Sequence, residues 1–350
     1  MSPLPDYQDH IGLWAGELKV WLPDRIFDAH VHLGPPEIVA RLSPGRNQPL
    51  TVWTSLKWEE ALSGYARLFS GKATEGVIAF PFPIQEVNVA KANEYIAGLA
   101  ASDKRVKGFM LVNPARIDAA KKQFYEHEKN DVRFYGVKPY YDLLGKSNYA
   151  TKMEELLPEE LLKFMNGEKL ILMLHTSSVG IGDPAVRGYI RFMAGDYPEI
   201  KIILAHLGRY IHPDQFLEFM DTDIMDYPSV YLEMSSGSSV AVYEKLLPRR
   251  ALWKKLLFGS DLPWAMMDGL EFWDDKTAPG MFLTRTEYQW SDLALLKKHE
   301  ATRRKLTFNT YHVLKCFKDA VERSGIAPED QQILKQNIFS QNALRLFGGY

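Results

Sequence analysis

Short, continuous apolar runs closed by a polar residue or a turn former recur along the chain. The first spans Arg25 to Val31, and seven more follow: Gly76–Phe80, Lys107–Val112, Phe134–Pro139, Leu170–His175, Ile202–His206, Val230–Met234 and Leu256–Asp261. From the second onward they return about every 25 to 36 residues. Helical patterns separate most of them, at Gln85–Leu99 and Asp118–His127 for example. Continuous apolar strands alternating with helices indicate a parallel sheet covered on both faces. Eight such units in one chain predict an α/β fold, a (β/α)8 TIM barrel. No glycine-rich dinucleotide fingerprint follows any strand, which counts against an open doubly wound sheet. Two connections exceed ordinary loops. The first, at about 35–70, carries a helical pattern of its own (Leu56, Ala61, Leu62, Tyr65, Leu68, Phe69), and the second spans about 265–304. The expectation is a single domain over residues 1–350, with both insertions over the catalytic face.

The polar residues stand at the ends of these runs. Strand one carries His30 and His32, strand four Lys138, strand five His175, strand six His206, strand seven Glu233 and strand eight Asp261. Residues i and i+2 of a strand share a face, so His30 and His32 lie side by side. Gly34-Pro35-Pro36 then ends that strand. Each residue has a plainer explanation alone. His175 and His206 could bond loop backbone, Lys138 could pair with Glu233, and Asp261 before Leu262-Pro263 could be a turn former. In a barrel, however, the strand ends converge on one face. Imidazoles and a carboxylate gathered there suit zinc or a similar divalent ion with one position open for water. Such a water ionises near neutral pH, and a neighbouring carboxylate can shuttle its proton.

Composition narrows the function classes. Lys+Arg 42 against Asp+Glu 44 gives a net charge of −2, no electrostatic case for nucleic acid or an anionic membrane. A single cysteine, Cys316, excludes an internal disulfide, fits a reducing compartment and falls in a helical pattern where it is expected to pack. Met1 to Asp6 lacks the basic and apolar regions of a secretory signal, and no apolar run approaches membrane-span length. A cytoplasmic protein is expected, with a small-molecule substrate as partner and a homodimer as the assembly the sequence allows.

The motifs together resemble the amidohydrolase superfamily, in its amidohydrolase-related (amidohydrolase 2) branch of metal-dependent hydrolases and decarboxylases. They are His30-Val31-His32 after strand one, Leu174-His175-Thr176, Ala205-His206-Leu207-Gly208 and Phe258-Gly259-Ser260-Asp261-Leu262-Pro263-Trp264. Asn342 to Gly348 is similar to that branch's closing helix, so the resemblance runs from about Ile26 to Gly348. It implies one divalent metal, zinc or else manganese, on His30, His32, His175 and Asp261. Asp261 would also be the proton shuttle, and His206 would polarise the substrate or the water. Lys138 would bind a substrate anion or, carbamylated, bridge two metals; Tyr140 stands where related hydrolases commonly have histidine. Substrate contacts are expected from Lys138, Arg209, Glu233 and Trp264, with Arg209 and His212 as further carboxylate partners. The second insertion holds Phe272, Trp273, Phe282, Tyr288 and Trp290, which read equally as an aromatic lid and as a dimer contact or simple packing. The reaction expected is hydrolysis of an amide, ester or lactone of a small, aromatic or carboxylate-bearing substrate. Non-oxidative decarboxylation and a non-catalytic ligand-binding barrel are the alternatives.

Overall fold

β1 (Arg25–His32) is buried along its length except at Arg25, and the other strands follow it one beside the next around the ring. The computed structural model describes residues 10–46, 48–274 and 277–348. The expectation drawn from Met1 to Asp6 and the side chain of Trp273 lie outside the described residues. In chain order the barrel elements are β1, α1 (Trp58–Leu68), β2 (Ala73–Phe80), α2 (Val89–Ser102), β3 (Val106–Val112), α3 (Ile117–Glu128) and β4 (Gly136–Pro139). They continue with α4 (Glu159–Gly167), β5 (Ile171–Leu174), α5 (Pro184–Asp196), β6 (Lys201–Leu204), α6 (Pro213–Met220), β7 (Val230–Glu233), α7 (Val240–Leu246) and β8 (Leu256–Leu257). The eight strands pair in sequence order and all in parallel. Beyond β8 the ring closes through backbone bonds: Ala29 N to Phe258 O (2.8 Å), Asp261 N to His30 O (2.9 Å) and His32 N to Leu262 O (2.9 Å). This is the expected (β/α)8 barrel.

Two apolar layers follow from strand alternation. Phe27, Ile78, Phe109, Met173, Ile203 and Leu257 fill the barrel interior, and Leu346 and Phe347 of the last helix, Asn342–Phe347, plug it from below. Asn342 fixes that helix by donating to the carbonyls of Trp253 (2.8 Å) and Leu256 (2.7 Å). A larger cluster lies between strands and helices. Cys316 packs as expected; it is buried, and burial pushes its thiol up to about 12.

Each insertion carries structure of its own. α1 buries Trp58, Ala61, Tyr65 and Leu68 against the barrel as its first outer helix, so the insertion proper ends before residue 58. Its tip is anchored by Arg46, which donates to both oxygens of Asp142 (2.8 and 2.5 Å) and to Glu86 (3.1 Å). The second insertion forms the antiparallel hairpin β9 (Gly269–Asp274) and β10 (Thr277–Thr284). Leu270, Phe272, Leu283, Leu296 and Leu306 give it a small core of its own, and Tyr288 stacks on Trp290 at 5.2 Å. Among the described residues no helix is long and apolar enough to cross a membrane.

Candidate metal centre

The cluster begins with an irregularity in β1. Its register against β2 shifts between Asp28 and Val31. Phe27 and Ala29 join the interior cluster, whereas Val31 and Leu33 join the outer one. The extra residue turns His30 inward along with His32, the use to which bulges beside functional sites are put. His30 Nε2 and His32 Nε2 both lie 3.2 Å from one oxygen, Asp261 Oδ1. Ligating atoms of His30, His206 and Asp261 all fall within 4.8 Å of one another.

The outer nitrogens of these histidines are already engaged. His30 Nδ1 meets Glu233 Oε2 at 2.8 Å, and His32 Nδ1 donates to the Pro81 carbonyl at 3.2 Å. Ser235 Oγ donates its proton to Glu233 Oε2 (2.8 Å), so it accepts from His206 Nδ1 at 2.9 Å. The inner Nε2 lone pairs are thereby left for an ion, as in carboxylate–histidine–metal arrangements. His175 adds a buried Nδ1 with no hydrogen-bond partner among the described residues.

His206 and Asp261 do not end strands, contrary to the sequence reading. β6 stops at Leu204, and His206, Leu207, Gly208 and Arg209 all have φ between +55° and +81°. Left-handed backbone costs a non-glycine residue about 1–2 kcal/mol. Here it is held by Thr176 Oγ1 on the Gly208 carbonyl (2.9 Å) and Ile181 N on the Arg209 carbonyl (3.1 Å). Gly180 permits that second bond, since a Cβ there would lie 1.5 Å from the Arg209 oxygen. β8 is only Leu256–Leu257, and Asp261 follows at φ +59° with its amide bonded to the His30 carbonyl. At Gly259, a Cβ would sit 2.3 Å from Glu233 Oε1 and 2.8 Å from His30 Cβ.

Burial sets the electrostatics. It holds His30 and His175 well below the ordinary imidazole range, lowers His32, and brings His206 to about 4. All four imidazoles are therefore neutral near pH 7, the form that ligates metal. Burial pushes the Glu233 carboxyl up to about 8 and the Lys138 ammonium down to about 8. Glu233 nonetheless faces donors on every side, from Ser235 N, Ser235 Oγ and His206 N as well as His30. A cation on the Nε2 side supplies the charge that such a carboxylate lacks. The residues fit a divalent ion.

Around the cluster lies a cavity of about 230 Å³, walled by Lys138, Tyr140, Tyr141 and Trp264 and roofed by Gln48, Pro49 and Leu50 of the first insertion. Trp264 edges His32 at 4.9 Å between ring centroids and donates Nε1–H to the Pro49 carbonyl (2.9 Å). Lys138 Nζ stands 3.5 Å from His30 Nε2 and 4.5 Å from the centre of the Phe80 ring.

Most of the expected residues therefore come together, with differences in arrangement. His206, expected beside the ion, belongs to the tight group, while His175 stands against it at 5.3 Å between rings. Glu233 is not placed for substrate; it is fully buried and committed to His30, Ser235 and His206. Arg209 donates through Nη1 to the carbonyls of Thr176 (3.2 Å) and Ser178 (3.0 Å), and neither it nor Glu233 lines the cavity. His212 caps α6 through Asp214 N instead of facing the site. Phe272, Phe282, Tyr288 and Trp290 do not line the cavity; Phe272 packs in the hairpin's own core and Tyr288 against Trp290. Sequence reasoning missed Asp28, which accepts from Tyr65 Oη (2.7 Å), Ser260 N (2.8 Å), Ser260 Oγ (2.5 Å) and His30 N (3.0 Å). These bonds tie β1 to the segment carrying Asp261. The sequence offers no motif that would have marked it.

A family model described as amidohydrolase matches residues 27–349. No curated protein sequence matches the chain. Solved structures do. The 5-carboxyvanillate decarboxylase LigW from Sphingomonas paucimobilis is 13% identical with a TM-score of 0.56, covering 93% of this chain and 99% of that one. The 2,6-dihydroxybenzoate decarboxylase from Rhizobium is 16% identical with a TM-score of 0.54, over 93% and 99%. A probable 2-pyrone-4,6-dicarboxylic acid hydrolase from Acinetobacter baumannii, with citric acid bound, is 14% identical with a TM-score of 0.50, over 92% and 99%. At these identities the likeness is one of fold.

Proposed function

The chain belongs to the amidohydrolase family, matched from residue 27 to residue 349, and from this we propose that it is a metal-dependent hydrolase. Its substrate is a small amide, ester or lactone carrying a carboxylate. The observation that carries the reading is Asp261 Oδ1 shared at 3.2 Å by the Nε2 atoms of His30 and His32, at the floor of a cavity that also holds Lys138. His30, His32, His175, His206 and Asp261 are the residues that would hold one divalent ion, zinc or else manganese. Such an ion supplies Lewis acidity, lowering the pKa of a water and polarising a carbonyl.

The chain's own groups do the rest. Asp261 takes the proton of the attacking water and returns it to the leaving group. Its left-handed backbone and the His30 carbonyl fix where that carboxylate points. Glu233 keeps His30 in the tautomer that leaves Nε2 free, and Ser235 does so for His206. Lys138, to which no carboxylate is bonded among the described residues, holds the substrate carboxylate beside the aromatic walls of the pocket. The carboxylates in the names of the structural neighbours agree with this assignment.

A second reading, non-oxidative decarboxylation of an aromatic acid, is favoured by those same walls. Trp264, Tyr140 and Tyr141 would desolvate a carboxylate and so raise its tendency to leave as CO2. The two readings separate when the metal-loaded protein is incubated with carboxylate-bearing lactones and esters and with aromatic acids, recording acid release and CO2 release. Acid release without CO2, reduced about 10²–10⁴-fold in Asp261→Asn, is expected. CO2 release would establish the second reading. Neither product, with zinc or manganese supplied, would leave a ligand-binding barrel.

A further inference from the structure

Tyr140 and Tyr141 leave β4 directly into the cavity. Adjacent residues of an extended strand point to opposite sides. Here Tyr140 is extended (φ −147°, ψ 141°), whereas Tyr141 opens the helical turn Tyr141–Leu144. That change of backbone brings both rings to one side. They stack at 4.3 Å and 29°, with the Tyr140 hydroxyl 3.3 Å from that of Tyr141. Both rings lie against His175, at 5.1 and 5.7 Å, and Lys138 Nζ is 5.7 Å from the Tyr140 ring centre.

Two phenols carry two protons, and the single bond between them uses one. Among the described residues no other hydrogen bond engages either hydroxyl. Whichever way the shared bond runs, one O–H is left for what occupies the cavity. Donation inside the pair also polarises the remaining O–H and strengthens it as a donor. Its complement is an anionic oxygen, because Lys138 contributes positive charge on the same wall and charge-assisted bonds are the stronger ones. Resting on the metal-dependent reading above, we propose that Tyr141 is a specificity-determining residue that donates a hydrogen bond to an anionic oxygen of the substrate, with Tyr140 as its positioning partner. A substrate without that oxygen leaves a buried donor unpaired, which is how such a site discriminates.

The test uses the full chain loaded with zinc, with benzoate as the anionic probe and benzamide as its neutral counterpart, both followed by calorimetry. Tyr141→Phe is expected to weaken benzoate about 10- to 100-fold and benzamide only a few-fold. Tyr140→Phe is expected to weaken benzoate about three-fold, with zinc stoichiometry unchanged in both variants. Equal loss for the two probes, or no loss, would overturn the proposal and make the pair simple packing. A wild-type chain that binds zinc but not benzoate would also overturn it, while leaving the metal reading standing. A chain that takes up no zinc would defeat the underlying reading itself.

Discussion

Glu233→Gln probes how much of the centre depends on what lies behind the ligands. Glu233 accepts from four donors: Oε2 from His30 Nδ1, Ser235 Oγ and His206 N, and Oε1 from Ser235 N. Glutamine keeps the shape but has one acceptor oxygen and one NH2. With its oxygen in the Oε2 position, the NH2 meets the Ser235 amide donor to donor; reversed, it meets three donors. The better arrangement orphans one buried N–H, a cost of about 1–3 kcal/mol. His30 also loses the carboxylate that fixes its tautomer and raises its basicity, which costs about 10–100-fold in metal affinity. Competition with a chromophoric chelator measures that affinity, and urea unfolding of the metal-free chain measures the stability. A metal affinity within two- to three-fold of wild type, in a variant destabilised as expected, would refute the claim that Glu233 orients His30.

Gly259→Ala is expected to destabilise by about 1–3 kcal/mol, because its Cβ would collide with both Glu233 Oε1 and His30 Cβ. Thermal unfolding and metal uptake should fall together, whereas Gly98→Ala, with open space around its Cβ, should leave metal uptake unchanged. Acid should weaken the fold below about pH 6.5. Burial holds His312 down to about 3, so between 6.5 and 3 the unfolded chain binds a proton that the folded chain refuses, and stability is lost as pH falls. The four buried histidines of the centre act in the same direction. In His312→Gln the fall in unfolding free energy between pH 6 and 4 should be shallower by up to about 1.4 kcal/mol per pH unit. An unchanged slope would show that His312 does not contribute to acid sensitivity.

The strands were legible because parallel strands buried on both faces are written as unbroken apolar runs, and β1, β3 and β5 were read to within two residues. The end of β8 was not, and that of β6 was placed two residues too far. His206 and Asp261 follow apolar runs as if they closed strands, yet their positions rest on positive φ and on contacts to Gly180 and His30 that are remote in sequence. The face of His30 was inferred from its i+2 relation to His32, which holds; the bulge that turns both inward has no residue signature. Glu233 was read as a substrate contact at the end of a strand. Its direction, toward His30, Ser235 and His206, is a tertiary fact. Arg209 was read as an anion partner because a cation beside a candidate ligand suggests an anion; in the structure its Nη1 donates to two backbone carbonyls of the loop after β5. Tyr140 and Tyr141 are adjacent, and only the change from strand to turn puts both rings in the cavity.

Metal content tests the central claim most directly. Elemental analysis of the full chain, purified without chelator or added metal, should return about one equivalent of zinc or manganese per chain. It should fall toward zero in His30→Ala, since His30 contributes to the group closest to Asp261. Two equivalents would bring a carbamylated Lys138 into the centre. No metal in the wild type, and none taken up on adding zinc or manganese, would contradict the assignment of these histidines and Asp261 as ligands.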